Sequence, residues 1–297
     1  MKENYLQYIA GKSDEGREVK SVLQNEMNLS ARKIRSVKFN DAGILLDGVR
    51  VNVREKLHEG QVLLVLLDDD KEKEQTIIAN PMELDIIYED YNYLFVNKES
   101  GMVCHPAQGH LVDTLVNGVR AYFEENKSNA KIHLVGRLDK DTSGIVAIAK
   151  NSVAAERLRF EKVYYALVTG VPKPSKGYID IAMEESFDGD DGRMLKMRKA
   201  DSHGKPAGTF YEVINEYGEF SLCEIKLETG RTHQIRFHMS HMGWPLIGDP
   251  IYGKGSVEGM SRTALHAGEI RFIHPFDGRE ICLKAPLPKD MEMLLNN

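Results

Sequence analysis

Long apolar runs are missing from this chain. The longest aliphatic stretch, Val62–Leu67, has six residues, far short of the ~20 that a membrane-spanning helix needs. The opening segment MKENYLQYIAGKSDEG lacks the apolar core of a secretory leader. A cytoplasmic location with no membrane partner is therefore expected. Cysteine is scarce, with Cys104, Cys223 and Cys282 far apart and no C-x-x-C pair. That argues against a disulfide framework and a thiolate zinc site, and fits a reducing compartment. GKGSVEG at 253–259 is glycine-rich, but it lacks the strand–loop–helix context of a phosphate loop, and no G-x-S-x-G occurs. His233, His238 and His241 do not form H-E-x-x-H, and spacings of five and three do not place all three on one helical face. No metal and no cofactor is expected.

An excess of positive charge is also absent, since the formal net charge is −6. Its distribution matters more than its sum. Residues 1–67 carry 11 Lys and Arg against 9 Asp and Glu, for +2. Residues 68–90 carry 2 against 9, for −7, and residues 91–297 carry 26 against 27, for −1. A chain with acidity concentrated in one short stretch can still present a basic face to phosphates.

That acidic stretch is the best domain boundary. Asp68–Gln75 is polar without hydrophobic periodicity and reads as a linker. The division expected is 1–67 as a small α/β domain, 68–80 as linker and 81–297 as a larger domain. Upstream, SVLQNEMNLSARKIRSVKF reads as two helices, with Ser30 as N-cap and Ile34 and Val37 on the apolar face. Arg32, Lys33, Arg35 and Lys38 are assigned to the other, basic face. Asp47-Gly48 between apolar runs signals a two-residue hairpin turn. Downstream, LDIIYED, YLFVNK, GIVAIAK, VYYALVTG, GTFYEVINEY, EFSLCEIKLET and EIRFIHPF read as strands. Helices are fewer, at 112–125, 152–158 and 232–242. Short turns between successive strands favour an α+β domain with a mixed, largely antiparallel sheet over a doubly wound parallel one.

Two segments carry chemistry. HLVGRLDKDTSGIVAIAKN at 133–151 embeds a polar, turn-forming knot between strands. A carboxylate such as Asp139 on that loop is held by rigid neighbours, as functional loops are. The plainer reading is a capping turn. LETGRTHQIRFHMSHMGWPLIGDPIYG at 227–253 places Arg231 and Arg236 five apart. An arginine beside an aspartate can fix it bidentately; the plainer reading is a cationic helix start.

At these segments the chain resembles the RluA-like family of RNA pseudouridine synthases. GRLDKDTSG is similar to that family's H-R-L-D-x-x-T-S-G motif and GRTHQIRFH to its second signature. KESGMVCHPAQGHLVDTLVNGV and EKVYYALVTGV resemble two more, and the four occur in family order within roughly residues 85–287. Residues 18–67 resemble a small RNA-binding domain named for a ribosomal small-subunit protein (S-four-like). The departures are Gly136 where the family has His, Glu99 where it has Pro, and a short segment between Lys150 and Lys162.

The resemblance implies a pseudouridine synthase fold and isomerisation of uridine to pseudouridine in RNA, with no metal or cofactor. It implies Asp139 as the catalytic aspartate, Tyr164 as the tyrosine stacked on the flipped uracil, and Arg231 as the basic partner of the aspartate. Ile235 packs against the base in this reading and Arg137 enters the gap left by the flipped nucleotide. Arg236, Arg32, Lys33, Arg35 and Lys38 are assigned to RNA contacts. The expected substrate is large-subunit ribosomal RNA, with transfer RNA as the alternative, and the expected state is a monomer. Two rivals are an idle RNA-binding protein of the same fold and a hydrolase pairing Asp139 with a second acid such as Asp141.

Overall fold

The computed structural model describes residues 4–67, 77–107, 109–188, 195–253 and 259–296. The acidic core of the expected linker, 68–76, and most of GKGSVEG lie outside the described residues. Near the N-terminus, β1 (Tyr5–Ile9), β2 (Ile44–Leu46), β3 (Val49–Arg50) and β4 (Val62–Leu66) form a sheet in the order β1-β4-β2-β3. Asp47 and Gly48 join β2 to β3 with φ of 50° and 84°, the positive pair that a type I′ turn demands. Helices α1 (Val19–Asn25) and α2 (Ala31–Val37) cover the sheet. Their Val22, Leu23, Ile34 and Val37 share one buried cluster with Ile44, Leu63 and Val65. Ser30 caps α2 as expected, its Oγ accepting from the Lys33 amide at 3.2 Å.

Lys33 corrects the expected basic face. It is buried, and its Nζ donates to the Leu67 carbonyl at 2.7 Å, tying α2 to the end of β4. Four residues before Val37, it shares that residue's side of the helix. Arg32 and Arg35 are exposed and Lys38 is half-buried.

The second sheet has ten strands. In chain order β5 (Asp85–Glu89), β6 (Tyr93–Lys98), β7 (His133–Val135), β8 (Ser143–Ala149), β9 (Glu161–Thr169) and β10 (Lys176–Asp180) come first. A separate hairpin of β11 (Met183–Asp188) and β12 (Leu195–Ala200) follows, then β13 (Gly208–Glu216), β14 (Phe220–Leu227), β15 (Leu265–Ile273) and β16 (Glu280–Lys284). The order is β10-β13-β14-β9-β15-β8-β6-β5, with β7 on β8 and β16 on β15. Among the described residues only β15 and β8 run parallel, so the sheet is mixed and largely antiparallel, as the turns imply. Helices α3 (Leu115–Glu125), α4 (Ser152–Arg157), α5 (Gln234–His241) and α6 (Lys289–Leu295) complete the fold. None of the described helices is long and apolar enough to cross a membrane.

The parallel contact positions the site. Ser143 and Gly144 lie opposite His266 and Ala267, and the loop carrying Asp139 enters the sheet there. Gly144 has φ +114°, and a Cβ on it would fall 2.3 Å from the Ala267 carbonyl oxygen. Only glycine permits that approach. Ser143 Oγ meets His266 Nδ1 at 2.9 Å across the same seam.

The first sheet's layer rests on α4. Val153 is buried in the N-terminal cluster. The Ser30 hydroxyl donates to Glu156 at 3.1 Å, and the Arg157 guanidinium donates to the Met27 carbonyl. Residues 78 and 80 bond to α3: Asn117 Nδ2 donates to the Ile78 carbonyl at 2.7 Å, and the Asn80 amide to the Asn117 carbonyl at 3.1 Å.

Candidate active site

The loop 136–142 between β7 and β8 is held through four successive carbonyls. Cys104 Sγ donates to Leu138 O at 3.4 Å and the Thr142 amide to Asp139 O at 3.2 Å. Lys98 Nζ and the Gly101 amide both donate to Lys140 O, at 3.1 and 2.9 Å. Asp141 O accepts from Ser100 Oγ at 2.9 Å and Arg262 Nη1 at 3.3 Å. Lys98 is buried and also donates to Glu99 O and Met102 O; burial pushes its ammonium down to about 8. Arg262 is in turn held bidentately by Asp290 of α6 at 2.6 and 2.8 Å. A loop so fixed presents its side chains at set positions, which is what a reacting group requires.

Asp139 is part-exposed, and two nitrogens face its Oδ2 at 3.9 Å, Arg236 Nη1 and His233 Nε2. Arg236 is buried on α5 and bound bidentately by the fully buried Asp249, Nε to Oδ2 at 2.7 Å and Nη2 to Oδ1 at 2.8 Å. Burial acts to protonate Asp249, but the hydrogen bonds and charge of Arg236, with the Tyr252 and Ile251 amides, outweigh it and hold the carboxyl below its ordinary range. Burial likewise opposes the charge on Arg236, and Asp249, then Asp139, more than restore it. The guanidinium is thus a fixed cation with its third nitrogen turned toward Asp139.

His233 stands at the N-cap of α5 in the left-handed region, φ 58°. Burial, then the Arg236 charge, lowers its pKa, so it is neutral at neutral pH. Tyr252 Oη accepts from the Arg198 amide at 2.8 Å and lies 3.2 Å from His233 Nδ1. The Asp139 carboxylate only accepts, which favours the tautomer with the ring proton on Nε2 and leaves Nδ1 to accept from the Tyr252 hydroxyl. Gln234 fixes the helix start. Its Oε1 accepts from Thr229 Oγ1 and the Arg231 amide at 2.8 and 3.0 Å, and its Nε2 donates to Gly208 O and Thr209 Oγ1 at 2.8 and 3.0 Å. His238 is buried on Thr209 Oγ1 and Ile181 O, both at 2.9 Å.

Tyr164 on β9 packs between two buried clusters, one with Leu138 and Ile148, the other with Ile235 and Met239. Burial, then the nearby Asp139 charge, raises its pKa, so the phenol keeps its proton. Ile235 is buried beside it. Arg137 is exposed and follows Gly136, whose φ is +79° and whose missing Cβ would meet Phe160 at 3.3 Å.

Arg231 is the principal correction. It precedes α5, is exposed, and its Nε donates to Pro206 O at 3.3 Å. The cation facing Asp139 is Arg236. With α5 starting at Gln234, position 231 lies outside the helix and position 236 within it. Lys98, Cys104, Arg262 and Asp249, which hold the loop and Arg236, carry no local sequence signal, since each reaches a partner 13 or more residues away.

The model of the family described as RNA pseudouridylate synthase matches residues 92–241, a span that holds Asp139, Tyr164 and Arg236. This chain belongs to that family and is an isomerase acting on RNA. It is 36% identical over 304 residues to "Uncharacterized RNA pseudouridine synthase YlyB" of Bacillus subtilis, covering 99% of this chain and 98% of that one. It is 35% identical over 279 residues to "Ribosomal large subunit pseudouridine synthase D" of Pseudomonas aeruginosa, covering 87% and 84%. Among solved structures it is similar to "Human RNA Pseudouridylate Synthase Domain Containing 4" at 25% identity and a TM-score of 0.58, covering 71% of this chain and 91% of that one.

Proposed function

We propose that this enzyme isomerises a uridine of large-subunit ribosomal RNA, with Asp139 as the reacting carboxylate and Arg236 as its charge partner. The observation that carries this reading is the 3.9 Å approach of Arg236 Nη1 to Asp139 on a loop clamped at four carbonyls. The reaction breaks N1–C1′ and joins C5 to C1′; the hydrogen on C5 leaves and N1 gains one, so no co-reactant is consumed. A carboxylate beside the ribose serves as nucleophile or base in that sequence. Tyr164, protonated and part-buried next to Asp139, supplies a ring on which the uracil stacks. Arg137, exposed on the same loop, reaches for the gap that flipping leaves. Ribosomal RNA is favoured because relatives at 34–36% identity over 87% of this chain are named for the large ribosomal subunit.

In the same reading residues 1–67 form an RNA-binding unit, 68–80 a linker and 81–297 the catalytic domain of a cytoplasmic monomer. Arg32, Arg35 and Lys38 remain available on α2 for phosphates, each contact lowering the salt slope of binding by about 0.7–0.9. The test is pseudouridine mapping of ribosomal and transfer RNA from a strain lacking the protein. Signal should vanish from large-subunit RNA and return with the wild-type gene but not with Asp139→Asn. Loss confined to transfer RNA would contradict the ribosomal assignment.

A further inference from the structure

The N-terminal layer holds a groove of about 800 Å³ between α1, α2 and the segment after β3. Lys20, Arg35, Lys38, Arg50 and Arg54 line it, with Glu18 as the one acid in its wall. The lining thus carries four net positive charges, or three when Asp41 on Arg50 is counted, on a chain whose total is −6. At its edge Phe39 is 77% exposed, and Lys38 Nζ stands 4.5 Å from the ring centroid. Arg50 is held at the same edge by Asp41 at 2.5 Å and by the Phe39 carbonyl at 3.4 Å.

We infer that this groove binds an unpaired nucleotide of the RNA substrate, with Phe39 as the platform for its base and the cations on the flanking phosphates. The inference rests on the reading of residues 1–67 as an RNA-binding unit and names the form of RNA that the unit takes. A solvated charged face would not need an exposed phenyl ring beside its cations. Aromatic rings interleaved with cations are what single-stranded recognition uses, because every base has a face to stack while phosphates need only charge. The volume matches a site of roughly 300–1,000 Å³ for a small ligand, which suits one or two nucleotides and not a duplex. A base in a duplex keeps both faces stacked on its neighbours and has none to offer Phe39.

The test measures affinity of the full-length protein, in an Asp139→Asn background, for two RNA hairpins that differ only by one bulged adenosine. An adenosine avoids probing the uridine site. The bulged hairpin should bind roughly tenfold tighter, the size of one stacked base. Phe39→Ala should erase that difference and leave the paired hairpin unchanged, while Phe39→Tyr should keep it. Phe39 is exposed, so these variants fold. If Phe39→Ala changes neither hairpin while Arg35→Gln with Arg54→Gln weakens both, the stacking inference is overturned and the RNA-binding unit stands. If neither set has any effect, both are overturned. Displacement of the bulged hairpin by poly-glutamate as efficiently as by RNA would overturn the inference in favour of an acidic polypeptide.

Discussion

Arg236 binds Asp249 through Nε and Nη2 at 2.7 and 2.8 Å and turns Nη1 toward Asp139 at 3.9 Å. One guanidinium therefore joins a fully buried structural ion pair to the site. Removing it should damage both. Arg236→Ala leaves the Asp249 carboxylate buried and unpaired, which costs about 3–5 kcal/mol, and should abolish activity. Arg236→Lys keeps the charge, loses the fork geometry and should fall between. Arg231→Ala removes an exposed side chain and should change stability by no more than about 0.5 kcal/mol. Thermal denaturation of the three variants checks the order.

Much of this was legible in the sequence. The α2 N-cap at Ser30 and the Asp47-Gly48 hairpin are local events, settled by side chains and φ values within four residues. The seven strands read from apolar runs all form. What the sequence hid was contact at a distance. Which of two arginines meets Asp139 depends on where α5 starts, and that is set by Gln234 bonding back to Gly208 and Thr209 on β13. Lys33 reads as surface by residue type, yet its position four before Val37 places it on the buried side, where the Leu67 carbonyl receives it. The docking of α4 against the α1–α2 connection has no periodic signature at all.

Gly144 separates two costs of adding a methyl group. At φ +114° with Ala267 O only 2.3 Å from the added Cβ, Gly144→Ala must move β8 from β15. Gly218 has φ +72° and nothing within 4 Å, so Gly218→Ala pays only the left-handed strain, about 1–2 kcal/mol. Urea unfolding should find Gly144→Ala the more destabilised of the two, with activity lost because the Asp139 loop enters the sheet at that seam.

Acid should weaken the fold before its carboxylates titrate. Burial pushes His266 down to about 4 from 6.5, and His233 and His238 are lowered by the same cause. Between pH 6.5 and 4 the unfolded chain binds more protons than the native one, so stability falls as pH falls through that window. His266 alone accounts for at most about 3 kcal/mol. His266→Gln should flatten the dependence of unfolding free energy on pH across 4 to 6.5. An unchanged slope would mean that the ring is not the buried, neutral partner of Ser143.

Tyr164→Phe should separate binding from turnover. The phenyl ring keeps the stacking surface and the packing against Leu138 and Ile235, so RNA affinity should stay near wild type. If the hydroxyl moves a proton, turnover should fall by roughly 10²–10⁴-fold. Single-turnover kinetics at saturating enzyme distinguish the two effects.

Single-turnover pseudouridine formation by Asp139→Asn, on RNA that the variant still binds, tests whether Asp139 carries the isomerisation. The amide matches the carboxylate in size, and Asp139 is part-exposed with no short hydrogen bond to its carboxylate among the described residues, so fold and affinity should hold. An amide is a poor nucleophile and a poor base. Full RNA binding with no detectable pseudouridine is expected; product formation at a rate near wild type would mean that another group carries the reaction.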